Sequence, residues 1–162
     1  MDDKIVYRQM KPGDEGRIYA LVSSVFSEFV ASEYLPEGIE EFINYIQPED
    51  IASRAAENHF VFVAESGSEI VGVIEIRNSN HISLLFAEKR FQRRGVGKEL
   101  LRKSVEVCRR EVPGLERITV HSSPNAVLAY EKMGFEPSGS ERTFHGIRFV
   151  PMTCRLEKGD SG

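Results

Sequence analysis

The sequence of 162 residues lacks any apolar run as long as the roughly eighteen residues that a membrane-spanning helix needs. It also lacks an apolar leader: the first four residues, Met1-Asp2-Asp3-Lys4, are polar, whereas a secretory signal requires an apolar segment. From these two absences we expect a cytoplasmic protein that does not act at a membrane.

Cysteine and histidine are both scarce. The two cysteines, Cys108 and Cys154, have neither the spacing of metal ligands nor the density of a disulfide-rich domain. The four histidines are scattered without metal-ligand spacing: His59, His81, His121 and His145. We therefore expect two reduced cysteines and no bound metal.

The net charge of −4 lacks the basic excess of a nucleic-acid-binding domain, so we expect no nucleic-acid partner. Charge is nevertheless unevenly distributed. Residues 18–53 contain no Lys or Arg but seven acidic side chains, whereas residues 88–110 contain nine Lys or Arg against three Glu. The first region suits a cation and the second an anion, although both patterns also fit solvated helix faces.

Two common phosphate-binding motifs are absent, the P-loop with its Gly-Lys-Ser/Thr ending and the dinucleotide fingerprint Gly-x-Gly-x-x-Gly. The chain instead has Gln92-Arg93-Arg94-Gly95-Val96-Gly97, which follows an apolar run at 81–87 and precedes an amphipathic pattern typical of a helix. Unpaired N–H groups and the helix dipole favour an anion at such a helix start, and glycine allows close approach. Because Lys89, Arg90 and Lys98 add to the basic charge, we expect a polyphosphate ligand.

At this length the chain suits a single domain, which we place at 1–156, with a frayed C-terminal tail at 157–162. Alternating apolar patterns predict strands at 5–10, 59–65, 69–76, 81–87, 117–121, 143–144 and 149–156. Helical spacing and capping residues predict helices at 14–31, 39–46, 48–56, 96–107 and 124–134. The order of these elements indicates a mixed α/β fold.

The pattern Gln-x-x-Gly-x-Gly between a strand and a helix resembles the acetyl-CoA pyrophosphate loop of the GNAT acetyltransferase superfamily. About thirty residues later, the stretch from Asn125 to Phe135 resembles the superfamily's second signature. The resemblance is specific over 82–135 and weaker outside it. It implies an N-acetyltransferase that uses acetyl-CoA, with a fold of about seven mostly antiparallel strands, a splayed central parallel pair and flanking helices. Homodimers are common in the superfamily, so a dimer stays an open alternative.

The resemblance also implies roles for particular residues in binding the coenzyme. The pyrophosphate is expected at the loop residues: Gln92, Arg93, Arg94, Gly95, Val96, Gly97 and Lys98. Free backbone amides of the splayed strand, near Leu85, Phe86 and Ala87, are expected to bind the pantetheine arm and the thioester oxygen. Asn125 either contacts the pantetheine arm or stabilises the first turn of its helix.

Two residues are candidates for proton transfer. By resemblance, the Tyr130 phenol lies beside the CoA sulfur and protonates the departing thiolate, unless it simply packs at a sheet edge. His81 stands where histone-acetylating members place a catalytic glutamate, so it is our candidate base, with a structural histidine as the alternative. Glu75 and Glu33 are rival bases. Thr119 stands where members that acetylate N-termini often carry a glutamate, which argues against that subclass.

The segment between the first two helices shapes the acceptor pocket in this superfamily. Here it contains Phe29, Glu33 and Tyr34, to which we add Glu75 as a substrate-binding residue. Aromatic faces and carboxylates attract cations, so we expect a primary amine of polyamine, amino-sugar, amino-acid or lysine type. A non-catalytic acetyl-CoA-binding sensor is the main alternative, and a nucleotide enzyme of another fold is a weaker one.

Overall fold

The computed structural model describes residues 4–157, whose strands form one mixed sheet with helices against both of its faces. The strands are β1 (Ile5–Gln9), β2 (His59–Ser66), β3 (Glu69–Arg77), β4 (His81–Ala87), β5 (Arg117–Ser122), β6 (Glu136–Pro137), β7 (Arg142–Phe144) and β8 (Ile147–Arg155). The helices are α1 (Glu15–Phe29), α2 (Pro36–Tyr45), α3 (Pro48–Ala55), α4 (Val96–Glu111) and α5 (Val127–Lys132).

The sheet runs in the order β1-β2-β3-β4-β5-β8-β6, with β7 paired to β8. Every pair is antiparallel except β4 and β5. In that parallel pair only two register partners are formed: His81 is opposite Thr119, and Ile82 is opposite Val120. Beyond Ile82 the two strands separate, which confirms the predicted mixed sheet with a splayed central pair.

A β-bulge in β4 decides which side chains face each side of the sheet. The register with β3 passes from Ile76 opposite Ile82 to Glu75 opposite Leu84, so Ser83 is the extra residue. Its hydroxyl donates to the Glu75 carbonyl oxygen at 3.3 Å. Because an extra residue reverses the alternation of side chains, His81 and Leu84 share one face of the sheet.

Each face of the sheet has its own hydrophobic core. On one face α4 buries Val96, Leu100 and Cys108 against the sheet. A Cβ on Gly72 of β3 would lie 2.7 Å from a Val96 methyl carbon, so glycine allows α4 to approach the strand closely. On the other face α1 and α3 bury an apolar stripe, and its fully enclosed members are Ile18, Val22 and Ile51.

The predicted helices and strands are largely confirmed, and the differences have local causes. The second helix begins at Pro36 instead of residue 39, because proline suits the first helical position. Pro124–Ala126 forms a 3₁₀ turn ahead of α5. The sheet gains a strand of two residues, β6, which is too short for a sequence pattern to reveal. Within the predicted tail only Glu157 is described, and the rest lies outside the described residues.

None of the helices within residues 4–157 has the length and apolar character required to cross a membrane.

Candidate functional site

The Gln-x-x-Gly-x-Gly loop connects the end of β4 to the start of α4. Its first part, Lys89–Arg94, is a 3₁₀ turn, and Phe91, which is 2% exposed, anchors that turn in the core. The Gln92 side-chain amide donates to the Ala87 carbonyl oxygen at 3.0 Å, which holds the turn against the strand. Gly95 has a φ of 76°, a left-handed conformation that most side chains disfavour, and it directs the chain into α4.

At the start of α4, backbone N–H donors lie next to open space. The Glu99 amide makes the first helical hydrogen bond of α4, to the Gly95 carbonyl at 3.0 Å. The amides of Val96, Gly97 and Lys98 therefore precede the helical ladder. A Cβ at Gly95 or Gly97 would meet no atom within 4 Å, so the backbone faces open space. An anion has access to these donors.

Basic side chains surround this open space. Arg93 and Lys98 are exposed and make no ion pair with any residue from 4 to 157. Arg90 pairs with Glu88 at 2.5 Å, and the Arg94 guanidinium carbon lies 5.0 Å from the centre of the Phe91 ring. The loop therefore keeps two cations whose charge no neighbouring carboxylate offsets, and it fits a diphosphate.

The gap between β4 and β5 opens beside this loop. Leu84 to Ala87 pair with β3 on one side, but β5 has no register partner for them on the other side. Because successive residues of a strand direct their backbone groups to opposite neighbours, every second amide here faces the gap. Leu85, Phe86 and Ala87, which we predicted to bind the pantetheine arm, all lie along it.

Asn125 follows β5, on the other side of the gap, and forms hydrogen bonds with residues at and just after the end of α1. Its side-chain amide donates to the Phe29 carbonyl oxygen, and its backbone amide donates to the Glu33 carboxylate at 3.2 Å. Ser123 donates to the Asn125 side-chain oxygen at 2.8 Å. The structure thus brings Asn125 together with two other predicted site residues, Phe29 and Glu33, each more than ninety positions away from it in sequence.

The end of α1 also contacts the 3₁₀ turn that follows β4, on the other side of the gap. The Lys89 ammonium lies 3.5 Å from the Glu28 carboxylate and 5.9 Å from the centre of the Phe29 ring. Together with the Asn125 contacts, these interactions place the segment from Glu28 to Glu33 near both sides of the gap.

Tyr34 lies next to this segment in an aromatic cluster. Its ring centre is 5.2 Å from that of Phe26, which stacks on Phe42 at 4.2 Å. Burial raises the pKa of Tyr34 to about 12, with a smaller contribution from the Glu33 charge. Next to it, the Leu35 amide donates to the Gly146 carbonyl at 2.9 Å, so the β7–β8 turn packs against the start of α2.

Tyr130 lies on α5 within the core that α4 covers. It is 8% exposed, and its ring packs edge-on against Phe135 with 5.4 Å between centres. Burial raises the pKa of the Tyr130 phenol. The phenol is therefore protonated at neutral pH, as a proton donor must be, and its assignment to the CoA sulfur stays a prediction.

The predicted contact between Glu75 and the acceptor is wrong in this structure, because the Glu75 side chain is 0% exposed. One carboxylate oxygen lies 2.7 Å from Nε of Arg54, and the other lies 3.1 Å from a terminal nitrogen of the same guanidinium. Nδ1 of His59 also lies 2.7 Å from the carboxylate. This buried group joins α3 to the sheet, which gives Glu75 a structural role.

His81 lies where β4 and β5 still pair. Its Nδ1 shares a hydrogen bond of 2.7 Å with the Thr119 hydroxyl. Burial, with smaller contributions from the neighbouring His121 and Arg77, lowers the pKa of His81 to about 4. The imidazole is therefore neutral at pH 7 and can accept a proton, but it holds that proton weakly. Its role as base stays a prediction.

Sequence reasoning missed His121 as a neighbour of the candidate base. The two imidazole centres are 4.9 Å apart, and His121 stacks on Phe149 of β8 at 4.3 Å. The alternation of β5, with Ile118 and Val120 buried, could have placed Thr119 and His121 together on the opposite face. Phe149 had no comparable signal, because its position depends on the pairing of β5 with β8.

Among residues 4–157, no three His, Cys, Asp or Glu side chains are grouped so that they could bind a metal ion.

A family model described as an acetyltransferase (GNAT) domain matches residues 30–156. That range includes the loop, the splayed strands and Tyr130, but not α1. No curated protein matches the chain in sequence.

Solved structures resemble the chain over nearly its whole length. A GCN5-related N-acetyltransferase from Rhodopseudomonas palustris, also described as a class-II aminotransferase, is 20% identical with a TM-score of 0.80, covering 96% of this chain and 99% of its own. The PaiA N-acetyltransferase of Thermoplasma acidophilum, in complex with coenzyme A, is 18% identical with a TM-score of 0.77, covering 94% and 99%. An IAA acetyltransferase from Bacillus cereus is 18% identical with a TM-score of 0.57, covering 94% and 100%. At these identities the likeness concerns the fold.

Proposed function

The chain belongs to the GNAT acetyltransferase family, and from this premise we propose that it transfers an acetyl group from acetyl-CoA to a primary amine. One observation carries the proposal. The amides of residues 96–98 precede the helical ladder of α4, the backbone faces open space at Gly95 and Gly97, and Arg93 and Lys98 make no ion pair with any residue from 4 to 157. This arrangement suits the diphosphate of coenzyme A.

When bound, the coenzyme supplies the acetyl thioester. The loop from Gln92 to Lys98 holds its diphosphate, and the amides of Leu85 to Ala87 that face the gap bind its pantetheine arm and polarise the thioester carbonyl. Tyr130 donates the proton that the leaving sulfur requires, and the phenol is protonated at neutral pH because burial raises its pKa.

The base must remove a proton from the ammonium group of the acceptor, so that the neutral amine can attack the thioester carbonyl. The lowered pKa of His81 makes it a weak base, so we propose that it accepts the proton through water once the acceptor is bound. Its Thr119 hydrogen bond fixes the ring. Glu33 is the rival base, because it is half-buried beside Asn125 at the gap.

The acceptor amine enters from the α1–α2 side, where Phe29, Glu33 and Tyr34 lie. The nearby carboxylates Glu28 and Glu37 are exposed, so the surface attracts a cationic amine. We expect a small amine or a lysine or amino-terminal amine.

A panel of primary amines with acetyl-CoA, followed by release of free thiol, tests the proposal. Amine-dependent thiol release, with the acetylated product identified by mass spectrometry, is the expected result. Saturable binding of acetyl-CoA without turnover of any amine would favour the alternative, a non-catalytic acetyl-CoA-binding sensor. Absence of binding would refute both functions.

A further inference from the structure

The face of the sheet that carries His81 continues across the central strands. Arg77 of β3 is opposite His81, and His81 is opposite Thr119. Residues opposite one another in a sheet project to the same side, so these three side chains form a row. His121, two positions after Thr119, projects to this side as well.

Three rings extend this row towards β8. His81, His121 and Phe149, which we call the ring strip, follow one another with centre distances of 4.9 Å and 4.3 Å. Arg142 of β7 is opposite Phe149. The strip therefore has an arginine at each end, Arg77 beside His81 and Arg142 beside Phe149.

The charges of these two arginines are not offset. Arg77 and Arg142 are exposed, and neither makes an ion pair with any residue that the structure describes. By contrast, Arg148 on the same hairpin pairs with Glu141 at 3.0 Å. Glu75 shares this face but pairs with Arg54, and Glu136, opposite Thr153, pairs with neither Arg77 nor Arg142 within residues 4–157.

The rings between the arginines add no opposing charge. Burial lowers the pKa of His121, and the positive charges of Arg77 and Arg142 lower it further. Both imidazoles of the strip are therefore neutral at pH 7. The surface combines flat apolar rings with two guanidinium groups, a pairing that suits a carboxylate attached to an apolar group.

We propose that the ring strip binds the acceptor through a carboxylate, so that the acceptor is an amino-acid type of amine. The inference rests on the proposed function, because it assigns this face to the acceptor. The carboxylate binds Arg77, which lies opposite His81, and the side chain of the acceptor packs on His121 and Phe149 towards Arg142. His81 lies at the end of the strip where β4 and β5 begin to separate, so the amine of the same molecule can reach the gap.

Matched acceptors test the proposal in turnover. L-Phenylalanine and L-phenylalaninamide differ by the carboxylate, so the enzyme should show a KM at least about tenfold lower for the acid. Arg77→Gln should raise the KM for the acid about tenfold and leave the KM for the amide unchanged, whereas Arg142→Gln, at the far end of the strip, should change neither value. Arg110→Gln, which removes an exposed arginine from α4, serves as the control and should change neither value. Equal KM values for acid and amide would overturn the inference, and the acetyltransferase function would stand.

A binding experiment separates this inference from the proposed function. N-acetyl-L-phenylalanine and its amide are titrated into the full chain while imidazole resonances of His121 are followed by NMR. Selective binding of the acid, weakened by Arg77→Gln but not by Arg142→Gln, supports the inference even if no amine is acetylated. Equal binding of acid and amide, no binding of either, or binding unaffected by Arg77→Gln would overturn it.

Discussion

The proposed coenzyme loop and the proposed acceptor face meet at β4 but are built differently. The loop is continuous in sequence, from Gln92 to Lys98, and the ligand groups that we propose for it are mainly backbone amides. The acceptor face draws side chains from β3, β4, β5, β7 and β8, with Asn125 and α1 at its border. If both proposals hold, coenzyme binding depends on local backbone conformation, whereas acceptor choice depends on the register of distant strands.

The largest effect should come from the buried pair that supports the acceptor side. Glu75→Gln leaves Arg54 without its carboxylate in a site where Glu75 is 0% exposed, so it should lower the free energy of unfolding by about 3 to 5 kcal/mol. Urea denaturation measures the loss. Glu106→Gln removes an exposed partner of Arg102 and should cost no more than about 0.5 kcal/mol. Equal losses would mean that the buried pair does not stabilise this region.

Tyr130→Phe should produce the next largest effect, and it concerns catalysis alone. We expect kcat to fall about a hundredfold because the thiolate loses its proton donor, while the Kd for acetyl-CoA stays unchanged. Stopped-flow thiol release and calorimetry measure the two quantities. Because the ring and its contact with Phe135 are retained, stability should hardly change. Unchanged kcat would remove Tyr130 from the mechanism.

Neutralising a basic side chain of the loop should weaken the binding of acetyl-CoA and leave the binding of the acceptor unchanged. Arg93→Gln and Lys98→Gln should each raise the Kd for acetyl-CoA about tenfold, and less at high salt, because both charges are exposed. The KM for the amine should stay the same. Arg110→Gln is again the matched control. A rise in amine KM without a change in acetyl-CoA affinity would place the coenzyme elsewhere.

The smallest effect should be on the pH dependence of folding stability. The folded pKa of His81 is about 4, below its unfolded value of about 6.5, so the unfolded chain binds more protons between these values. The contribution of His81 to stability is therefore complete above pH 6.5 and is lost as the pH falls towards 4. His81→Asn should reduce the acid loss of stability seen in thermal melts from pH 7 to 4. An identical pH dependence in the variant would contradict the low folded pKa.

The same contrast explains what the sequence could predict. Gln92 to Lys98 and the cap at Gly95 are local, so their pattern identified the loop and its expected ligand. The alternation of β3 does place Glu75 on the same face as Arg77, but it does not reveal that Arg54 of α3 pairs with the carboxylate. The bulge at Ser83 and the contact of Asn125 with Phe29 depend on packing between distant segments, so neither had a sequence signal.

An NMR titration of the isotope-labelled chain with coenzyme A tests the central claim most directly. The account predicts saturable shifts of the backbone amide resonances of Val96, Gly97 and Lys98, because these three groups donate to the diphosphate. Saturable binding that leaves these three resonances unmoved, or no binding at millimolar coenzyme, would contradict it.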